Sequence, residues 1–454
     1  MGDTSSSSKN LIEKLYDWLV AGLDRTVYMG VRYTFPKRFV SPLGYLGVLT
    51  GITFLVLGIT GGILMIYYQP TLAGCGDTTC AFQSVERIND TVPFGWLLRN
   101  IHYTASNAMV LLAVLHLYYQ YFSGRFKIKN EVLWVTGVIF GLITGIEAYT
   151  GYDLIFNQRA GLAIEIGASL ANASPVIGAP LRLATFGAGF ADFILRLYSA
   201  HVFILPMVML ILVFIHFPRY LVFDIPIVSV VVGGLFMIAG VFPAELGLQY
   251  NPGSGQLTIP EWYLTALYAL LRTEYDKFVM GGLMPALLVL MAIVVPFVDT
   301  SKKLSWKDRP FFTALGLTSI SQIIITTGWG FYINPNTCGC LQTLDRLFVS
   351  PAQYFSSMIA ITLISFVITY AYLRYLKAKE RVRRAVGPLK PLLDRRWLLI
   401  IFILLLGSQV ALNGMAVMAG QAGLNGLALF QVGSVLVAFG VIFHLYRYSH
   451  SLPF

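Results

Sequence analysis

Two apolar stretches of the chain, HYTASNAMVLLAVLH (102–116) and HVFILPMVMLILVFIH (201–216), each begin and end with a histidine. The histidines are fourteen residues apart in the first stretch and fifteen in the second. Either interval is about four turns of an α-helix, with a rise of roughly 21 to 22 Å. An ionisable group inside an apolar span is costly and points to function. The two stretches therefore predict two helices that each present two imidazoles at membrane depth.

The composition around these stretches is that of an integral membrane protein. Of 454 residues, 56% are hydrophobic and 12% are charged, whereas soluble domains carry about 25% charged residues. Hydropathy windows of about 19 residues predict spans at 42–68, 100–122, 132–154, 192–217, 227–247, 280–298, 311–333, 352–375, 397–419 and 426–447. We expect an all-α fold, a polytopic transmembrane helix bundle with about ten spans. A soluble enzyme with one anchor is excluded.

The basic residues lie in short connections between the apolar runs. The net charge of +10 comes mainly from clusters before the first span and after the second, sixth and eighth, which all fall on one side. Because positive connections stay in the cytoplasm, we expect a plasma-membrane protein with both termini cytoplasmic. Such clusters are not a phosphate-binding stripe, so no nucleic acid partner is expected.

Four long connections on the opposite side carry little Lys or Arg. They are 69–99, 155–191, 248–279 and 334–351. Apolar pieces at 162–170 and 259–271 fit short helices on the membrane face. Two of these loops hold the four cysteines of the chain, Cys75, Cys80, Cys338 and Cys340. An oxidising compartment permits disulfides, and we expect either a Cys75–Cys80 bridge or a cross-link between the loops.

The four span histidines fall at two depths. The second and fourth spans run in the same direction, so His102 and His201 share a depth near the outer face. His116 and His216 share a depth near the inner face. A lone histidine in a span is more often a helix contact, but two bis-imidazole sites about 20 Å apart are what two axially ligated haems require.

Glycines recur at the same interval as the histidines. Gly47 and Gly61 in the first span are fourteen residues apart, as are Gly137 and Gly151 in the third. A missing side chain at each level lets a flat macrocycle approach the backbone. The glycine spacing therefore agrees with the histidine spacing.

Four motifs together make the chain resemble cytochrome b of the quinol-oxidising cytochrome bc complexes. They are Arg99-Asn-Ile-His102 with His116, Thr150-Gly-Tyr-Asp-Leu154, Arg196-Leu-Tyr-Ser-Ala-His201 with His216, and Pro260-Glu-Trp-Tyr263. The fifteen-residue step is similar to the chloroplast and cyanobacterial branch. The fusion of both parts into one chain is similar to archaeal and some bacterial members.

The resemblance implies four regions. Residues 1–41 would be a cytoplasmic amphipathic segment, and 42–218 a four-helix core with two haems inside it. Residues 219–376 would be a C-terminal four-helix region whose loop at 248–279 oxidises quinol. Residues 377–454 would add a basic cytoplasmic linker and two further spans.

The resemblance also implies the haem ligands. His102 and His201 would bind the iron of the outer, low-potential haem, and His116 and His216 that of the inner, high-potential one. The haems would be of the b type, although the same geometry would hold a haem of the a type. Arg99 would pair with a haem propionate or else act as an interfacial anchor.

The quinol site is implied by residues 260–263. Glu261 would accept a proton from quinol, or else its carboxylate would only stabilise a helix N-terminus after Pro260. Tyr152, Tyr263 and Tyr268 match aromatic positions near the pocket, or belong to an interfacial aromatic belt. The chain departs from the family at Asp153-Leu-Ile-Phe-Asn-Gln158, where a Leu-Pro-Trp stretch is usual.

We expect the haem-bearing subunit of a respiratory quinol-oxidising complex, with quinone as a second cofactor. The chain has neither the two-Cys-two-His set of a Rieske centre nor a Cys-x-x-Cys-His motif. Partners are therefore expected: a Rieske iron–sulfur protein, other respiratory subunits and, from the resemblance, a second copy in a homodimer. A two-haem membrane anchor of another quinone-linked oxidoreductase is the alternative, but it does not explain residues 260–263. A secondary transporter would show inverted repeats and bind no pigment.

Overall fold

Long apolar helices dominate the computed structural model, which describes residues 11–15, 17–18, 30–32, 45–75, 78–129, 131–217, 220–222, 224–254, 258–333, 348–380 and 395–451. Within that part of the chain, eight helical segments are long and apolar enough to cross a membrane. The fold is the transmembrane helix bundle predicted from hydropathy. The strands among the described residues form two short pairs.

The helices are numbered here in chain order. They are α1 (Leu46–Tyr67), α2 (Cys80–Asp90), α3 (Gly95–Ser123), α4 (Phe126–Lys129), α5 (Glu131–Asp153), α6 (Gln158–Asn172), α7 (Gly178–Phe186), α8 (Phe190–Ser199), α9 (Leu205–His216), α10 (Ile225–Val241), α11 (Thr265–Leu271), α12 (Met284–Val298), α13 (Pro310–Tyr332), α14 (Pro351–Glu380), α15 (Arg395–Gln421) and α16 (Asn425–Ser451). Strands β1 (Gly30–Arg32) and β4 (Tyr220–Val222) pair in parallel, and β2 (Gly74–Cys75) and β3 (Thr78–Thr79) pair antiparallel.

A π-helical turn, Ala200–Ile204, joins α8 to α9 and makes them one continuous span. A second π-turn, Val279–Leu283, leads into α12. Each π-turn is followed two residues later by a proline, Pro206 or Pro285, which has no N–H to give to an α-helical bond. A π-turn takes up one extra residue in a helix. The extra residue explains why His201 and His216, although fifteen residues apart, still lie on one face of the span.

Several span boundaries differ from the hydropathy prediction by about four to six residues, and two of these differences have a physical cause. Helix α3 begins at Gly95 rather than at 100, because the polar Arg99 lowers the hydropathy of its first turns. Helix α10 ends at Val241 rather than at 247. Its end follows from Pro243, since the residue before a proline disfavours the α conformation, and Phe242 has left it.

The outer loop before α3 is closed by a disulfide. Cys75 in β2 is bonded to Cys80 at the start of α2, with Cα atoms 5.0 Å apart, a usual separation for a disulfide. One of the two expected pairings is therefore present. Cys338 and Cys340 lie outside the described residues. The apolar pieces expected to form short outer helices are α6 and α11.

The last two spans pack onto the bundle through α10. A Cβ atom built on Gly233 of α10 would lie 2.6 Å from the carbonyl oxygen of Gly433 in α16. One built on Gly440 would lie 2.6 Å from the Pro226 carbonyl oxygen. Small residues let membrane helices approach to backbone contact. Helix α16 therefore lies directly against α10, and α15 packs on α16.

A buried ion cluster ties the inner ends of three spans together. Asp299 after α12 pairs with Lys127 at 2.5 Å and with Arg309 at 2.7 Å. The Arg309 guanidinium also donates to the carbonyl oxygens of Tyr121 and Phe122 in α3, at 2.7 and 2.9 Å. The side chains of Asp299 and Arg309 are only 1% and 2% exposed. The cluster therefore joins the histidine-bearing half of the bundle to the later spans.

Replacing Arg309 should destabilise the protein markedly. Arg309→Leu leaves Asp299 with only Lys127, and breaking a buried pair costs about 3–5 kcal/mol. We expect a clearly lower midpoint of thermal unfolding in detergent, followed by circular dichroism. Lys302→Ala, an exposed lysine in the same connection, is the control and should change stability by less than about 0.5 kcal/mol. Equal effects of the two changes would contradict a structural role for the cluster.

Candidate functional site

The four span histidines form two facing pairs. The ring centres of His102 and His201 are 6.4 Å apart, and those of His116 and His216 are also 6.4 Å apart. The two rings of each pair are nearly perpendicular, at 84° and 88°. Helix α3 supplies one member of each pair, and the α8–α9 span supplies the other. The structure thus brings together the partners that share a depth in the sequence.

The separation of the rings fits a metal ion held between them. Two imidazoles on opposite sides of one ion have ring centres about 6 Å apart, because metal–nitrogen bonds are about 2 Å and each ring centre lies about 1 Å behind its nitrogen. Within the described ranges, no group of three or more His, Cys, Asp or Glu side chains could hold a metal ion. Each pair therefore offers two imidazoles among the described residues. Such a pair would suit a metal that brings its other ligands with it, as in haem.

The hydrogen bonds of the rings identify the atom left for the metal. Nδ1 of His201 is 3.1 Å from the carbonyl oxygen of Glu147, and Nδ1 of His216 is 3.0 Å from that of Leu133. A carbonyl oxygen only accepts, so Nδ1 carries the proton in both rings. Nε2 then keeps its lone pair and is the ring atom suited to bind a metal.

Each imidazole packs against a glycine of a neighbouring helix. A Cβ atom built on the glycine would meet the ring carbon Cε1 at 3.2 Å for Gly47 and His116, 3.0 Å for Gly61 and His102, 2.6 Å for Gly137 and His216, and 2.5 Å for Gly151 and His201. We expected these glycines to leave room for a macrocycle. In the structure the space is filled by the ligand rings themselves, so the glycines position the imidazoles.

A threonine directly before the glycine contacts three of the four rings. The hydroxyl oxygens of Thr60, Thr150 and Thr136 lie 2.9, 3.3 and 3.5 Å from Nδ1 of the facing histidine. Position 46, before Gly47, is leucine. The Thr-Gly pair is therefore a repeated feature of the ring contacts, and the sequence analysis did not identify it.

Glu261 lies in a buried polar contact between the 258–264 loop and two helices. Its carboxylate pairs with Arg159 at 3.0 Å and accepts from the Tyr103 hydroxyl at 3.4 Å. The Glu261 residue is 9% exposed. It precedes the short 3₁₀ turn Trp262–Leu264 without a side-chain capping bond. The carboxylate therefore makes its hydrogen bonds to Arg159 and Tyr103 and not to the backbone of the following turn.

The neighbours of Glu261 hold the loop against the helices of the outer histidine pair. Trp262 donates from Nε1 to Asn107 of α3 at 2.7 Å, and the Tyr263 hydroxyl donates to the Ala148 carbonyl of α5 at 3.3 Å. Burial, and then the charges of Glu261 and Asp153, raise the pKa of Tyr263. Its hydroxyl therefore stays protonated and able to donate.

Three polar residues of this region were not assigned a role from the sequence. Arg159 and Tyr103 contact Glu261 from far along the chain, so no local pattern indicates them. Asp153 is fully buried at the end of α5, directly after the predicted pocket residue Tyr152. Asp153 begins the stretch that departs from the family, and Arg159 directly follows it. That departure was the one feature of the sequence that could have pointed to these two residues.

One of the predicted site residues, Tyr268, has other surroundings. Tyr268 is buried in a cluster with Met280, Ile333, Val349 and Tyr354, and the Arg272 guanidinium lies 5.2 Å from its ring centre. Glu261 is not a member of this cluster. Tyr152, in contrast, is 7% exposed beside the Glu261 region and packs with α6. Tyr152 and Tyr263 are thus grouped, and Tyr268 lies apart.

Arg99 binds an outer loop rather than acting as an exposed anchor. Its guanidinium donates to the carbonyl oxygens of Ala244 and Glu245 at 2.7 and 3.1 Å and to Asn89 at 3.1 Å. Arg99 is 8% exposed. The guanidinium therefore fixes the chain after α10 against the start of α3.

Comparison with known proteins agrees with this geometry. The family model described as cytochrome b/b6/petB matches residues 34–221, and that described as cytochrome b (C-terminal)/b6/petD matches residues 254–338. A solved structure described as "Hyperthermophilic respiratory Complex III" is similar, with 24% sequence identity and a TM-score of 0.54. The match covers 79% of this chain and 97% of that one.

The helix bundle and its paired imidazoles define an integral membrane protein of the haem-binding class. The two family models together match more than half of the chain. The chain belongs to the cytochrome b family, with the N-terminal and C-terminal parts fused. Family membership implies haem binding, and the separation of the paired rings fits it.

A methyl group at Gly151 should displace the His201 ring. Gly151→Ala places a Cβ atom at 2.5 Å from Cε1, and overpacking costs about 1–3 kcal/mol. We expect the haem-to-protein ratio, measured from visible absorbance, to fall toward half. Gly145→Ala in the same helix is the control, because its Cβ atom meets nothing within 4 Å. An unchanged ratio in Gly151→Ala would contradict the positioning role of this glycine.

Proposed function

We propose that the chain is the di-haem cytochrome b subunit of a respiratory quinol-oxidising complex. It would act as a quinol oxidoreductase subunit that carries electrons across the membrane and releases protons on the outer side. The two facing imidazole pairs carry this proposal, because each has the separation required for one metal ion. When bound, the two haems, of the b type or a modified type such as a, supply one-electron chemistry at two depths.

In this proposal His102 and His201 hold the outer haem, and His116 and His216 hold the inner one. Arg99 is proposed to pair with a propionate of the outer haem. A guanidinium has five donors, and the described contacts of Arg99 use three of them. The other two are suited to a carboxylate.

Glu261 is the proposed proton acceptor for quinol. Quinol oxidation sheds two protons, and a positioned carboxylate on the outer side is a suitable base. The contacts with Arg159 and Tyr103 support the role, since they hold the carboxylate beside the helix that carries His102. Pro260, the residue directly before Glu261, has a fixed backbone φ angle and so restricts the chain at this point. Tyr152 and Tyr263 are proposed to line the quinol pocket, with Tyr268 in a more distant part of its wall.

The proposed partners lie on and within the membrane. A Rieske iron–sulfur protein would take electrons on the outer side, and further respiratory subunits and a second copy of the chain would complete the assembly. The similar structure named above, itself described as a respiratory Complex III, supports such an assembly. We propose the plasma membrane as its location, with cytoplasmic termini.

A redox-titrated visible spectrum tests the haem assignment. We expect two one-electron components with separable midpoint potentials in the purified protein, because the two imidazole pairs lie in different surroundings. His201→Ala should remove one component and leave the other, since each pair holds its own metal. A protein with no pigment, or with a single component that tolerates loss of either pair, would contradict the proposal.

The proton-acceptor assignment is tested by Glu261→Gln. The amide keeps the shape of the side chain and cannot accept the proton, and general base catalysis contributes about 10²–10⁴-fold. We expect haem reduction by quinol, followed in a stopped-flow spectrometer, to slow by at least a hundredfold with both haems retained. Glu274→Gln, an exposed residue of the same loop, is the control. Unchanged kinetics in Glu261→Gln would remove the assignment.

A further inference from the structure

The two histidines of the α8–α9 span meet α5 through the same local arrangement. Each imidazole ring packs on a glycine of α5. Its Nδ1 atom donates to the carbonyl oxygen of the residue four positions before that glycine. The hydroxyl of the threonine directly before the glycine also contacts Nδ1. At the inner level the residues are Leu133, Thr136 and Gly137, and at the outer level they are Glu147, Thr150 and Gly151. The two arrangements are fourteen residues apart on one helix.

The arrangements differ in one side chain of α5. The residue whose carbonyl accepts from the histidine is leucine at the inner level and glutamate at the outer level. The Oε1 atom of Glu147 is 3.1 Å from Nδ1 of His201, the same distance as its own carbonyl oxygen. The side chain of Glu147 is 19% exposed, and its Oε2 atom has no hydrogen-bond partner among the described residues. One imidazole of the outer pair thus has a carboxylate at its proton-bearing nitrogen.

We propose that Glu147 lowers the reduction potential of the outer site by acting on the metal through His201. A carboxylate that shares the Nδ1 proton makes the imidazole a stronger donor at Nε2. Oxidised iron carries one more positive charge than reduced iron, so a nearby negative charge favours the oxidised state. Glu147 is therefore a positioning residue and not a metal ligand. This inference rests on the proposed function, in which His201 binds a haem.

Helix α1, which contacts the other histidine of each pair, contributes a second, weaker difference between the two sites. Thr60 contacts His102 of the outer pair, whereas Leu46 precedes the glycine that faces His116 of the inner pair. A hydroxyl adds no net charge to the site. The carboxylate of Glu147 is a charged difference between the two sets of ring contacts described above. A negative charge beside His201 would lower the outer potential relative to the inner one.

Two exchanges test the inference in opposite directions. Glu147→Gln keeps the size of the side chain and removes the charge, and Leu133→Glu gives the inner site the outer arrangement. At a fixed ambient potential and pH, Glu147→Gln should raise the reduced-to-oxidised ratio of the outer haem about tenfold, which is about 59 mV for a one-electron couple. Leu133→Glu should lower that ratio for the inner haem, and Leu133→Gln is its uncharged control. Midpoint potentials come from redox-titrated spectra, with haem content measured in parallel.

The outcomes separate this inference from the proposed function. A wild-type protein whose spectrum lacks two haem components would contradict the proposed function itself. If the wild type has two components and Glu147→Gln shifts neither, the inference alone is overturned. Loss of the outer haem in Glu147→Gln would indicate a role in binding and would also overturn it. Equal shifts in Leu133→Glu and Leu133→Gln would show that charge is not the cause.

Discussion

Placing an imidazole inside a membrane helix bundle imposes a constraint on the neighbouring helix. The ring must donate from Nδ1, because an unmet polar group in an apolar surrounding is costly, and it must leave Nε2 open for a metal. A helix carbonyl points along the axis toward the N–H four residues later. When that later residue is glycine, as at Gly137 and Gly151, the ring can reach the carbonyl without meeting a Cβ atom. The orientation of the imidazoles therefore depends on glycines and backbone carbonyls of the neighbouring helix.

This constraint also accounts for the irregular helix that carries His201 and His216. The glycine contacts on α5 are fourteen residues apart, so the two rings must descend by the same rise. A fifteen-residue interval satisfies that requirement only if one residue is absorbed on the way. The π-turn Ala200–Ile204 absorbs it, and Pro206 prevents an ordinary α-helical bond there. The π-turn is thus a consequence of the ring contacts and the proline, not a local defect.

The sequence was informative where function follows a helical period. The spans, the two depths of the histidines and the companion glycines all repeat at intervals that periodicity reveals. It was uninformative where the contact joins distant segments. Arg159 and Glu261 are 102 residues apart, and no pattern in either segment indicates their ion pair. Arg99 likewise donates to carbonyl oxygens of the chain after α10. Every residue has a backbone carbonyl, so the sequence does not indicate which one accepts.

Helix α3 connects the outer histidine pair to the Glu261 site, because residues on two of its faces contact the two sites. His102 points toward α1 and meets Gly61 and His201. The next residue, Tyr103, is turned by about 100° and donates to Glu261, and one turn later Asn107 accepts from Trp262. The 258–264 loop is therefore attached to the helix that presents the outer imidazole. A displacement of α3 would therefore move the Glu261 carboxylate and the His102 ring together, because both are attached to this helix.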